Sequence, residues 1–219
     1  MGARGDHREH AFVGGALNVF RLERGVLCSG QRLGGVVNDW GAMHIDTERL
    51  LLREFVEADA EVTNVYEREA EVVRFQSFAP RTLAQSLEYI QRSMASARER
   101  PRRVFDLAVV SRRDGGLIGR CGLGVRDPEQ GEAALWYILH PAHWGMGYAP
   151  EACTALLRFG FETLGLHRVI IDTEPENRAS IRVAEKLGMR REAHFVENYW
   201  SKGRWTDSVI FALLKREWE

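Results

Sequence analysis

The chain has 219 residues, 45% of them hydrophobic and 28% charged, with 30 basic side chains against 31 acidic ones. A formal net charge of −1 offers no cationic surface for nucleic acid or an anionic membrane, and the length suits one domain with an appendage. Cys28, Cys121 and Cys153 are odd in number and lack C-x-x-C spacing, and no apolar run approaches the ~20 residues that cross a bilayer, so the expectation is a soluble cytoplasmic protein in a reducing compartment.

Met1–Ala42 is rich in glycine and scattered charge and holds no sustained period. It is expected to be a poorly ordered extension outside the fold, with Met43 as an alternative natural start, which leaves 43–219 as the domain. Arg49–Phe55 alternates as a first strand. Asp59 is placed to cap a short helix running to about Tyr66. Thr82 caps the next, which carries Leu83, Leu87, Ile90 and Met94 at helical spacing. Arg98–Arg103, around Pro101, reads as a solvated basic loop. Phe105–Val110 and Leu117–Val125 form a hairpin turned by Asp114-Gly115-Gly116, with Gly119 and Gly122 marking a bulge or a close backbone approach. Glu132–Leu139 is apolar on both faces and so is central.

Leu139–Glu151 follows as a strand end, a glycine turn and a helix start. Gly145 and Gly147, with Pro150 suited to the first helical turn, leave bare N–H groups at a helix N-terminus, which is a place for phosphate. Cys153, Leu156, Leu157, Gly160, Phe161 and Leu164 make one apolar stripe along that helix, and Gly165 stops it. Arg168–Thr173 is a buried strand. Asn177 caps a helix with Val183, Ala184 and Leu187 inward, ended by Gly188. Phe195–Ser201 and Trp205–Leu214 make a final hairpin across Lys202-Gly203-Arg204. The order is strand, two helices, three strands, helix, strand, helix, two strands, which is one mixed α/β layer structure.

Several stretches together resemble the GNAT acetyltransferases. They are Trp136–Pro141, then Trp144–Ala149 with Glu151-Ala152, then Glu176–Ser180, then Glu185–Met189. Lys202–Asp207 further resembles the last hairpin of the branch that acetylates ribosomal-protein N-termini, the RimJ/RimL type. The resemblance runs from about Ile45 to Trp218. It implies the acyl-CoA N-acyltransferase fold, a mostly antiparallel sheet with a parallel central pair splayed around the cofactor and helices on both faces. It implies an acetyl-CoA co-substrate held between Glu132–Leu139 and Arg168–Thr173, with the acetyl carbonyl against N–H groups near Ile138, Leu139 and His140. The pyrophosphate is then expected on Trp144, Gly145, Met146, Gly147, Tyr148 and Ala149, and the pantetheine arm on Asn177. The acceptor is an amine, a peptide N-terminus or a small molecule such as an aminoglycoside, an amino acid or a polyamine. It attacks directly in a ternary complex, on a monomer or homodimer. Phe75–Pro80 would line its site, and the acids between Glu57 and Glu71 would suit a cation.

Four family positions are changed. Ala142 stands where Arg or Gln is usual before the first glycine, Ala184 where the family acid is Tyr, Ala134 where some members keep a Glu base, and Tyr199 where the ribosomal branch has a Glu on the strand after the last helix. Ser180, on the inward face with Val183, Ala184 and Leu187, is the expected substitute acid, with helix-end bonding as its structural alternative. For the base, Glu197 and Tyr199 are the candidates on the following strand, with His194 near and Glu132 one strand pitch away. The replaced positions also admit a silent acetyl-CoA-binding module. His140 and His143 lack a third ligand at metal spacing, so no metal is expected.

Overall fold

Leu50 and Leu52 are fully buried while Leu51 and Arg53 are half-exposed, and this alternation lays down a strand at the start of the domain. The computed structural model describes residues 43–218. The expected extension over residues 1–42, and with it the start-site idea, lies outside the described residues. In chain order the elements are β1 (His44–Asp46), β2 (Leu50–Arg53), α1 (Asp59–Glu67), α2 (Leu83–Ser96), β3 (Val104–Ser111), β4 (Leu117–Asp127), β5 (Glu132–Leu139), α3 (Tyr148–Arg158), β6 (Arg168–Thr173), α4 (Arg178–Lys186), β7 (Arg190–Ser201) and β8 (Arg204–Leu214). They build an eight-stranded sheet ordered β1-β2-β3-β4-β5-β6-β8-β7. Every neighbouring pair is antiparallel except β5–β6.

α3 and α4 cover one face. Leu135 and Leu139 of β5, Ile171 of β6 and Phe211 of β8 meet Leu156 and Leu157 of α3 in the main core. At roughly 1.5–3 kcal/mol for each fully buried large side chain, this layer is the chief source of stability. The stripe predicted for α3 holds, and it runs on through a π-helical turn, Phe159–Thr163, before Gly165. Gly122 explains how the sheet accommodates Trp136. A Cβ on Gly122 would stand 2.3 Å from the indole of Trp136, so only a bare α-carbon lets that ring lie across β4.

α1 and α2 cover the other face, where Ile90 is buried with Leu87 and Met94 packed beside it as expected, but Leu83 departs from the pattern. Leu83 is 50% exposed, whereas Ser86, Tyr89, Ile90 and Ser93 turn inward. The sheet opposite presents two buried charges, Asp106 and Arg120, so α2 turns hydroxyls toward it. Ser93 donates to Asp106 at 2.7 Å, and the Tyr89 hydroxyl donates to the same carboxylate. Arg120 Nη1 donates to the Tyr89 oxygen at 2.6 Å, and Arg120 Nε donates to Glu67 at 2.7 Å. Burial by itself depresses Arg120, but Tyr89, Glu67 and Asp106 outweigh it and keep the guanidinium charged.

Other local expectations divide in the same way. Thr82 caps α2 through a full capping box with Gln85. Asp59 does not cap α1, whose cap is Ala58. It is the first helical residue, and its carboxylate takes both Arg53 Nη1 at 2.7 Å and Arg53 Nη2 at 2.8 Å. Arg102 is no solvated loop residue either. It is buried on Glu54, 2.6 Å away, with Phe105 beneath it. β7 begins at Arg190 rather than Phe195, and its register with β8 shifts between Phe195 and Tyr199, where Glu197 takes a φ of 46°.

Candidate active site

β5 and β6 pair over only three residues, Glu132–Ala134 against Arg168–Ile170, and then part. On its other edge β5 stays paired with β4 as far as Leu139. His140 N–H donates to Ile118 O at 2.8 Å, so by strand alternation the N–H groups of Leu139 and Tyr137 face the opening. The Leu139 carbonyl is already taken, by Trp144 Nε1 at 2.8 Å, which pins the loop that follows. The result is a cleft of about 340 Å³, walled by Leu135–Leu139 on one side and by Ile171, Asp172 and Thr173 on the other.

The glycine turn closes one end. Gly147 is the N-cap of α3, with φ 81° and ψ 5°, a left-handed conformation that a side chain resists. With no capping side chain present, the first N–H groups of α3 are open to an anion. A clamp that sequence reading missed holds the turn. Glu151 accepts from Thr47 Oγ1 at 2.6 Å, from Arg49 N at 2.9 Å and from Arg49 Nε at 2.7 Å. Arg49 also donates to Met146 O at 3.0 Å and lies over the Tyr148 ring. Burial raises Glu151, but the Thr47 and Arg49 hydrogen bonds outweigh it and hold the carboxyl below its ordinary range. Ala142 supplies no cation, yet His143, Arg182 and Lys186 all line the cleft. Arg182 and Lys186 are four apart on α4, a signal that was legible in the sequence.

α4 enters the cleft by its N-terminus. Asn177 caps it, its Oδ1 accepting from Ser180 N at 3.1 Å, and both residues line the cleft. Ser180 is buried, and its side chain lies beside the phenol of Tyr137. Burial pushes that phenol well above its ordinary value, with the Ser180 hydroxyl acting in the opposite sense. Tyr137 thus joins the site, although sequence reading treated it as a strand residue only.

Most expected cofactor residues meet at this cleft: Ile138, Leu139, Trp144, Gly145, Gly147, Tyr148, Ala149, Asn177 and Ser180. His140 and Met146 stand apart. The His140 N–H is spent on Ile118, and its Nδ1 accepts from Ala142 N, while the Met146 side chain is 55% exposed and outside the cleft. The base candidates fare worse. Glu197 faces solvent on the β7 bulge with its N–H bonded to Asp207, and His194 is held by the same Asp207 at 2.7 Å. Tyr199 is half-buried and does not line the cleft, and its phenol is raised by burial. Glu132 is spent on Arg126 at 3.1 Å and Arg168 at 3.0 Å. Among the described residues no three His, Cys, Asp or Glu side chains group as metal ligands.

The segment after α1 walls the cleft, and the β7–β8 hairpin is tied to that segment from outside. Glu71, Val72, Arg74, Phe75 and Gln76 line the cleft, so the expected Phe75–Pro80 wall lies slightly earlier in the chain. Lys202, at the hairpin tip, donates to the carbonyls of Val73 and Arg74 and ties the two together. Of the acids expected to suit a cation, Asp59 and Glu67 are buried in ion pairs, while Glu71 lines the cleft.

The family described as "Acetyltransferase (GNAT) domain" matches residues 49–190. The chain is 35% identical over 173 residues to the uncharacterized N-acetyltransferase p20 of Bacillus licheniformis, a match covering 78% of this chain and 96% of that one. It is 34% identical over 106 residues to YdaF of Bacillus subtilis, a proposed ribosomal N-acetyltransferase, covering 48% of this chain and 58% of that one. Among solved structures, a GNAT-family acetyltransferase from Bacillus anthracis superposes with a TM-score of 0.72 at 28% identity, covering 80% of this chain and all of the other.

Proposed function

The chain belongs to the GNAT acetyltransferase family, and on that premise we propose that it moves an acetyl group from acetyl-CoA to the N-terminal amine of a protein, by direct attack in a ternary complex. The observation that carries this reading is the parting of β5 from β6 beside an uncapped helix N-terminus. Acetyl-CoA suits the residues present. The open N–H groups around Gly147 and the cations Arg182 and Lys186, with the His143 imidazole beside them, match a pyrophosphate, and the apolar wall of β5 matches a pantetheine arm. When bound, acetyl-CoA supplies the activated acyl group.

The chain's own groups then have three tasks. The Leu139 N–H, aimed into the opening, polarises the acyl oxygen. Ser180, beside Tyr137, gives a proton to the departing sulfur. The tied hairpin and α1–α2 segment hold the amine in line, which supplies rate by positioning. A peptide acceptor is favoured by the exposed indoles of Trp200 and Trp205, which stack edge to face on the hairpin whose tip, Lys202, is tied to that wall.

The test is thiol release from acetyl-CoA with Ser- and Ala-initiated peptides, spermidine, an aminoglycoside and free amino acids. N-terminally acetylated peptide, identified by mass, is the expected product. Faster turnover of a small amine would move the acceptor to that class. Acetyl-CoA binding with no thiol released from any acceptor would instead mark a silent binding module.

A further inference from the structure

We propose that Asp172 is the general base of the transfer, its carboxylate on β6 taking the proton from the acceptor ammonium where β5 and β6 part. This rests on the transferase reading of the cleft. The position follows from the sheet register. Ala134 pairs with Ile170, so their side chains share a face, and Asp172 lies two residues further along β6 on that face, at the start of the opening. Ala134 brings no titratable group to this face, and Asp172 supplies a carboxylate to it from the adjacent strand.

Its surroundings leave it free to act. Asp172 lines the cleft, and its Oδ1 is buried with no hydrogen-bond partner among the described residues. An unpartnered buried carboxylate oxygen is costly, and such a group persists where function requires it. The groups around it are Arg126 from β4, Tyr199 from β7, Ser208 from β8 and Glu174 just beyond β6. Arg126 pairs with Glu132 and Glu174 with Arg204, while the uncharged Ser208 hydroxyl, 3.0 Å from Asn198 Oδ1, also sits beside the carboxylate and leaves the Asp172 Oδ1 unpartnered. Burial pushes the Asp172 carboxyl up to about 8, against weaker opposing pulls from Arg126 and Ser208. That value is matched to an amine acceptor at neutral pH. The other acid of the cleft, Glu71, is exposed on its outer wall.

The step balances without a further reactant. The ammonium R–NH3⁺ gives one proton to the Asp172 carboxylate, and the freed lone pair forms the N–C bond at the thioester carbonyl carbon. The C–S bond then breaks with its electron pair on sulfur. The nitrogen loses its second proton, the thiolate gains one, and Asp172 returns its proton to solvent. The sum is R–NH3⁺ plus acetyl-CoA giving R–NH–acetyl, CoA thiol and H⁺.

Two measurements on the full chain test this. In the first, the Asp172 carboxyl carbon, assigned through its backbone resonances, is titrated by 13C NMR with acetyl-CoA bound. A midpoint near 8 is expected, and a midpoint in the ordinary carboxylate range below ~5 overturns the assignment. In the second, Asp172→Asn is compared with wild type for acetyl-CoA affinity by calorimetry and for turnover of a Ser-initiated peptide and of spermidine. Unchanged affinity is expected, with kcat/KM reduced ~10²–10⁴-fold at pH 7 and the loss narrowing toward pH 10 as the amine deprotonates unaided. Normal turnover by the variant, or a loss that does not change with pH, sinks the proposal. Failure of wild type to bind acetyl-CoA would instead count against the cleft reading, so the two failures are separable.

Discussion

Replacing Gly147 by Val probes the anion turn at its most sensitive backbone position. Gly147 has φ 81°, and a Cβ there would lie 3.4 Å from Arg49 Nη2. Damage then runs through the turn, by backbone strain and by displacement of the Arg49–Glu151 clamp. A left-handed backbone costs a β-branched residue about 1–3 kcal/mol. If the turn relieves that strain by leaving the left-handed basin, the binding-competent fraction falls and the apparent Kd for acetyl-CoA rises by about 5–150-fold. If it stays, the same strain lowers Tm by about 2–12 °C. Calorimetry with acetyl-CoA and thermal melting distinguish the two routes. Gly147→Asn, a residue that tolerates this basin, is expected to lose less by either measure. A Gly147→Val protein with wild-type Kd and wild-type Tm would refute the turn assignment.

Three further outcomes are expected. Glu151 is held below its ordinary value in the fold, so its stabilisation is complete above the ordinary glutamate range and lost as pH falls through the lowered one. The melting difference between wild type and Glu151→Gln should accordingly be largest near neutral pH and shrink as pH falls below the ordinary glutamate range, and a difference that does not change with pH would count against the clamp. Ser180→Ala should lower kcat by ~10²–10⁴-fold with acetyl-CoA affinity little changed, and a variant with normal turnover would remove Ser180 from the chemistry. Gly122→Ala drives a methyl into the Trp136 indole and should cost ~1–3 kcal/mol, read as a lower Tm, and a neutral result would mean Trp136 has room to move.

The sequence was most readable where period and punctuation agree. The β5 strand, the glycine turn, the α3 stripe and the Asn177 cap all follow from local rules, and together they place the cofactor half of the cleft. Legibility fails where a partner distant in the chain decides. Arg49 and Glu151 are 102 residues apart, so nothing local announces their clamp. The α2 period places Ile90, Leu87 and Met94 toward the core, but only the buried Asp106 and Arg120 on the sheet explain why Tyr89 and the serines turn inward as well and Leu83 does not. On β7 Glu197 and His194 are engaged at the bulge: Glu197 is exposed there with its N–H on Asp207, which also holds His194, and neither lines the cleft. Asp172 was passed over because an acid within a buried strand has no meaning until the register sets it beside Ala134 and Ile170.

The most direct measurement is a crystal structure of the protein grown with CoA. The pyrophosphate should lie on the N–H groups between Gly145 and Ala149, and the thiol arm should run between Ile138 and Ile171 toward Ser180 and Asp172. A filled site elsewhere, or this cleft occupied by protein side chains with CoA absent at saturating concentration, would contradict the placement from which every residue role here is drawn.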